Sequence, residues 1–235
     1  MDMNCVDYAI LSFLNGFSRK SMVFDLSMKI LQANYLLKGG IFMILIWWFW
    51  FQDRKPDQYI RERIIVTMSS GLIALWAARV LAWALPFRVR PLHNADLGFL
   101  SPYGGGFALL ETWSSFPSDH AILFFSLATG IFLISRKTGI VLMIYTLVVI
   151  CFPRIYLGLH YPTDVIAGVA AGAAITVLVS LEQVRRHLLP PVLSWQRRDP
   201  GSFYAFFFFL SFMISTMFDP VRTIGRFIYQ ACRAF

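Results

Sequence analysis

The chain has 235 residues, 57% of them hydrophobic and only 14% charged, with a mean hydropathy of +0.62, whereas ordinary soluble domains are about 25% charged. So few charges cannot cover the surface of a water-soluble globule, and the composition equally excludes disorder, collagen and coiled coil. Lysine and arginine outnumber aspartate and glutamate by 21 to 13, but the bases cluster at the ends of apolar runs instead of forming a stripe, which fits loops beside membrane spans and argues against nucleic acid.

Along the chain, the first 33 residues mix Ile10, Leu11, Phe13, Leu14 and Phe24 with Arg19, Lys20, Asp25 and Lys29, a pattern that predicts interfacial helices. Their start lacks a basic n-region, so targeting is expected to be internal. A spanning helix needs about 20 mostly apolar residues, and six stretches qualify as candidates: 34–52, 64–85, 118–135, 138–152, 161–181 and 202–218. The third and fourth are short, which requires Arg136 and Lys137 at their shared end to snorkel. The sixth follows a polar linker and is a candidate to lie on the membrane instead of crossing it. Gly168 and Gly172 form a small-xxx-small pair that lets another helix approach closely, and the Phe206–Phe209 run reads as lipid-facing. The expected architecture is an all-α, polytopic membrane helix bundle of about six spans. It divides into an interfacial segment (1–33), a membrane core (34–181), and a polar linker with an apolar helix and basic tail (182–235).

A single long loop, 86–117, carries Phe87, Phe99, Tyr103, Phe107, Trp113 and Phe116. Long loops in compact proteins are usually functional, and these rings predict a lid in the headgroup region. If the first five stretches cross, this loop, the N-terminal segment and the loop near residue 160 share one face. The opposite face collects Arg54, Lys55, Arg61, Arg63, Arg136, Lys137, Arg185, Arg186, Arg197 and Arg198, and is therefore expected to be cytoplasmic. The three cysteines, Cys5, Cys151 and Cys232, are too widely spaced to suggest a disulfide framework or a metal site.

Polar groups able to do chemistry gather on the long-loop face: Arg88, Arg90, Ser118, Asp119, His120, Arg154, His160 and Asp164. Ionisable residues at membrane depth are functional candidates by default. Histidines with arginines and a carboxylate, without a Cys or Glu ligand set, suggest an oxyanion site and neither metal nor other cofactor. His160 and Asp164 are four apart and share a helix face, so the carboxylate can hold one imidazole nitrogen and leave the other as a nucleophile; an interfacial histidine beside a helix cap is the plainer alternative. Ser118 suits an N-cap, exposing backbone N–H groups to phosphate oxygens. His120 can protonate a leaving group. Arg90 and Arg154 have guanidinium forks that match phosphate geometry.

Arg90-Pro91, then Pro117-Ser118-Asp119-His120, then Pro153-Arg154, five residues, His160, three residues and Asp164 resemble the type-2 phosphatidic acid phosphatase superfamily, which also contains the vanadium haloperoxidases. The family pattern is Lys-x6-Arg-Pro, Pro-Ser-Gly-His and Ser-Arg-x5-His-x3-Asp, and the likeness covers about residues 64–181. It implies a metal-independent phosphatase in which His160 attacks phosphorus, Asp164 orients it, His120 protonates the departing oxygen, and Arg90, Arg154, Ser118 and backbone amides hold the phosphate. Three positions depart from the pattern. The family lysine falls at Trp83, for which Arg79 and Arg88 are the candidate substitutes, although Arg79 is expected to lean away from the site. The serine becomes Pro153. The glycine becomes Asp119, as in bacitracin-resistance-type undecaprenyl pyrophosphate phosphatases, which the chain looks like in this run and in size.

The resemblance thus implies an integral-membrane lipid phosphatase acting on a polyprenyl pyrophosphate or related lipid phosphate at the extracytoplasmic face of the plasma membrane, with the bilayer and the lipid as its partners. A lipid phosphotransferase with the same intermediate, and a non-catalytic lipid-phosphate binder or transporter, are the competing expectations.

Overall fold

The computed structural model describes residues 4–52, 57–104 and 113–233. Arg54, Lys55 and the middle of the expected lid, including Phe107, lie outside the described residues. Within them every regular element is a helix. In chain order these are α1 (Cys5–Asn15), α2 (Met22–Ala33), α3 (Ile41–Trp50, entered through a π turn at Leu36–Gly40), α4 (Asp57–Ala84) and α5 (Asp119–Ile134). There follow α6 (Arg136–Tyr145), which continues through a π turn (Thr146–Cys151) into α7 (Phe152–Tyr156), then α8 (Pro162–Val179), α9 (Glu182–Arg198), α10 (Pro200–Ser215) and α11 (Asp219–Arg233).

Three helical stretches are long and apolar enough to cross a membrane: Gln58–Ala84, Arg136–Tyr156 and Pro162–Val179. Two bent pairs add to them, α2 with Leu36–Trp50 at 63° and α10 with α11 at 78°. The molecule is a helical membrane bundle, and each of the six expected stretches contains a helix. The central helix is α5, packed by α4, α6 and α8; ten of its sixteen residues are buried. At about 1.5 Å per residue it is only about 24 Å long, short of the roughly 30 Å apolar slab.

The contact between α5 and α8 follows from the predicted glycine pair. A Cβ on Gly168 would lie 2.8 Å from the Ser118 carbonyl, and one on Gly172 would meet the Ile122 carbonyl and lie 3.0 Å from the Ser126 amide. Only residues without a side chain permit this approach. Thr176 on α8 and Ser126 on α5 then bond across the seam at 2.8 Å.

The stretch expected to end at residue 152 runs on to Tyr156 through the π turn. Pro153 has no N–H to donate, which loosens the local helical ladder; the Arg154 side chain returns a bond to the Ile150 carbonyl at 3.1 Å. Pro162 opens α8 at its first turn, where its missing amide costs nothing. Between them Gly158 turns the chain at φ +70°, where a Cβ would collide with the Phe99 ring at 2.7 Å.

Two segments depart from expectation. The polar linker is the helix α9: Leu189 and Leu193 at helical spacing are buried in the main core, while Arg185 bridges to Glu62 at 3.1 Å. Pro190 and Pro191 disguise it in the sequence. The basic tail is the helix α11, with Val221, Ile224, Phe227 and Ile228 exposed along one side and Arg222, Arg226 and Arg233 on the same helix, the pattern of a helix lying in a membrane interface.

Candidate active site

A cavity of about 210 Å³ opens at the end of the bundle where α5 and α8 begin, lined among others by Arg79, Arg90, Asp119, His120, Arg154 and His160. The geometry of the two histidines decides what it can do. His160 is 4% exposed, and its Nδ1 lies 2.8 Å from the Ser115 carbonyl oxygen. A carbonyl only accepts, so Nδ1 carries the proton and Nε2 keeps its lone pair. Nε2 is 3.5 Å from Nη1 of Arg90.

The sequence expectation was that Asp164 itself would hold this imidazole; instead its Oδ2 stands 3.7 Å from Nδ1, beyond hydrogen-bond reach. Asp164 works on the frame around the ring. It accepts from the Ser115 hydroxyl, from the Tyr161 amide at 2.8 Å and from Arg88, fixing the two loops that set the imidazole in place.

His120, at the first turn of α5, has Nδ1 2.7 Å from Oδ1 of Asp119, leaving Nε2 for a ligand. The other carboxylate oxygen of Asp119 takes a bond from Arg79 Nη2 at 3.1 Å. Asp119, a carboxylate at an expected anion site, is thereby neutralised by Arg79 while it orients His120. Arg79 does reach the cavity, contrary to the expected lean of its side chain, and its guanidinium packs over the Trp113 ring at 4.8 Å.

Arg154 is 1% exposed and lines the cavity floor. Arg90 is anchored by the Leu159 carbonyl at 2.7 Å, with the Trp113 and Ser114 carbonyls at 3.3 Å; burial lowers its pKa from the ordinary arginine value. Two expectations are corrected. Ser118 occupies the N-cap position of α5 without a side-chain capping bond, and its hydroxyl has no partner among the described residues; it is absent from the cavity wall. Arg88 is also absent from that wall. Its Nη2 is 2.7 Å from Asp7 Oδ2, Nη1 bonds Asp164 and, at 2.9 Å, the Thr163 hydroxyl, and the guanidinium lies 3.9 Å above the Tyr161 ring. It buttresses the site from behind. Burial disfavours its charge, but Asp164 and Asp7 more than offset that and raise its pKa.

Sequence reasoning missed several contributors. Asp7, on α1, is fully buried and also accepts from the Thr163 amide at 3.0 Å. Ser115 supplies both a hydroxyl and the deciding carbonyl. Lys38 on the α3 π turn and Arg222 on α11 line the cavity. An acidic residue in the expected interfacial segment, Asp7, and a lysine inside an expected span, Lys38, were the available signals. The Trp83 side chain, at the family lysine position, is 88% exposed and points away.

Comparison with known proteins gives the family. The PAP2 superfamily profile matches residues 34–187. The chain belongs to the PAP2 superfamily. It is 34% identical over 139 residues to the bacitracin transport permease protein BcrC of Bacillus licheniformis, a match covering 52% of this chain and 66% of that protein. It is 26% identical to the undecaprenyl-diphosphatase BcrC of Bacillus subtilis, over 74% of this chain and 82% of the relative. To the decaprenylphosphoryl-5-phosphoribose phosphatase of Mycobacterium tuberculosis it is 42% identical, over 51% of this chain and 61% of the relative. Solved structures give no significant match. This PAP2 chain thus has relatives named as lipid phosphatases, and its Arg90, His120, Arg154 and His160 line one cavity.

Proposed function

We propose that this PAP2-family phosphatase hydrolyses a polyprenyl diphosphate or closely related lipid phosphate, with His160 as nucleophile, at the extracytoplasmic face of the membrane. The observation that carries the reading is the pairing of imidazoles. Each has its Nδ1 committed, His160 to the Ser115 carbonyl and His120 to Asp119, and both line the same cation-rich cavity. The undecaprenyl-diphosphatase activity named for one relative supports the substrate class.

In the first step the Nε2 lone pair of His160 forms a bond to phosphorus while the bond to the leaving oxygen breaks. His120, as an imidazolium held through Nδ1–H by the Asp119 carboxylate, gives that oxygen its Nε2 proton, so that no bare oxyanion forms at the broken bond. Arg90 and Arg154 neutralise the equatorial oxygens, where charge spreads in the transition state. Water then attacks the phosphohistidine, giving up a proton to the now neutral His120, and inorganic phosphate leaves with His160 restored.

The test is phosphate release by the detergent-purified protein, in EDTA, from undecaprenyl diphosphate and phosphatidate side by side. Release that is lost in His160→Ala is expected; full turnover by that variant would sink the mechanism. The proposed face rests on the basic residues opposite the cavity. Cysteines introduced at Ser101 and Arg136 should label from opposite sides, Ser101 from outside, and labelling of Ser101 only from the cytoplasm would reverse the assignment.

A further inference from the structure

We propose that Lys38 and Arg222, both outside the family motifs, form a leaving-phosphate subsite that makes the cavity selective for lipid diphosphates over lipid monophosphates. This rests on the reading of the cavity as a phosphatase site and adds its substrate class.

Lys38 is 4% exposed, yet among the described residues no carboxylate lies within ion-pair distance of its ammonium, which stands 4.6 Å from the centre of the Tyr35 ring. A buried ammonium without an anionic partner is costly. It lines the cavity, so the missing partner is an anion that the cavity receives. The π turn that carries Lys38 is held by close packing: a Cβ on Gly39 would collide with the Ser215 backbone at the end of α10. The Tyr145 hydroxyl bonds the Leu37 carbonyl beside it.

Its position assigns which oxygens it serves. In an in-line displacement the nucleophile and the leaving group stand on opposite sides of phosphorus. Arg90 is beside the nucleophile, 3.5 Å from His160 Nε2, and so belongs to the transferred phosphoryl group. Lys38 lines the cavity together with His120, the proton donor to the leaving oxygen, and has no bond to Arg90 or His160 among the described residues. A lipid alcohol leaving from a monophosphate needs only that proton. A lipid phosphate leaving from a diphosphate brings additional anionic oxygens, and those require cations on the His120 side.

The apolar surroundings agree independently. An apolar groove of about 430 Å³, lined by Leu72, Leu75, Trp76 and Val221, shares Arg79, Trp113, Met217 and Arg222 with the phosphate cavity. Arg222 therefore sits at the junction of the polar and the apolar space, where the leaving phosphate of a diphosphate joins its lipid chain. Two carboxylates, Asp119 and Asp219, line the cavity against five cationic side chains, and Asp119 is already taken by Arg79.

The full-length protein in detergent tests the subsite. Lys38→Met should lower kcat/KM for undecaprenyl diphosphate roughly tenfold or more, the value of one charge-assisted contact, and change that for phosphatidate less than about threefold; Arg222→Gln should act in the same direction, and Lys38→Arg should restore most of the loss. Equal losses on both substrates, or none on either, would overturn the assignment. A binding measurement separates this from the phosphatase reading itself. In the His160→Ala background, inorganic diphosphate should bind at least about tenfold more tightly than orthophosphate by calorimetry, and Lys38→Met should erase the preference. If that preference is found but the native protein releases no phosphate, the subsite stands and the hydrolase reading fails. Equal binding of the two anions discards the subsite whatever the activity.

Discussion

The proton on His160 is assigned by its partner, because the Ser115 carbonyl oxygen offers no hydrogen of its own. What keeps the ring neutral is its surroundings. Burial, opposed by the carboxylate of Asp164 and reinforced by Arg90, holds the His160 pKa below the ordinary histidine value. A nucleophile with a lowered pKa is present above that value and is lost as pH falls through it. The acid limb of kcat/KM for phosphate release that His160 sets should therefore lie below about 6.5, the unperturbed histidine pKa. An acid limb centred at or above about 6.5 in a pH-rate profile, absent from a neutral substrate-binding control, would contradict the assignment. Asp119 belongs to the same scale. Its sequence position suggests electrostatic conflict with phosphate, and only its two bonds, to His120 and to Arg79, show why it is tolerated.

Helices place these groups, and α5 and α8 do so through backbone proximity. A Cβ on Gly172 would lie 3.0 Å from the Ser126 amide and collide with the Ile122 carbonyl, so any larger residue must push the two helices apart. Gly172→Val should cost about 1–3 kcal/mol, the usual penalty for overpacking a tight interface, and should lower Tm in detergent together with activity. Ala174→Val, on the exposed side of α8, should change Tm by little. Similar behaviour of the two variants would show that the seam is not close-packed. The two π turns repeat the lesson. One follows from Pro153, whose missing N–H is visible in the sequence; the other, which carries Lys38, depends on the approach of α10 to Gly39 and has no local signature.

Across the whole molecule, a buried chain of bonds ties the first helix to the reaction centre: Asp7 to Arg88, Arg88 to Asp164, Asp164 to Ser115, and Ser115 to His160. The N-terminal segment, expected from the sequence as interfacial helices, thus also braces the site. Asp25 on α2 serves likewise, accepting from the Arg19 amide at 3.0 Å, the Tyr103 amide at 2.9 Å and the Tyr156 hydroxyl. Asp7→Ala removes one of the two carboxylates that compensate the buried Arg88 guanidinium. The expected cost is about 3 kcal/mol, as for breaking a buried ion pair, read as a lower Tm with a fall in kcat. Native stability and kcat in that variant would show that α1 does not support the site.

The sequence alone determined that this is an apolar, all-helical membrane protein, because span length and loop charge are properties of local composition. It also determined most of the candidate site, since His120, His160, Asp164, Arg90 and Arg154 stand at motif spacings that one chain segment records by itself. Tertiary structure decided how those residues divide the work. It turned Arg88 behind the cavity and Arg79 into it, gave the His160 proton to a carbonyl in place of Asp164, and brought Asp7, Lys38 and Arg222 from the two ends of the chain. The physical reason is that a buried charge is placed by whichever partners the packed helices bring within a few ångströms, and those partners lie up to 156 positions away in the chain, as Thr163 does from Asp7.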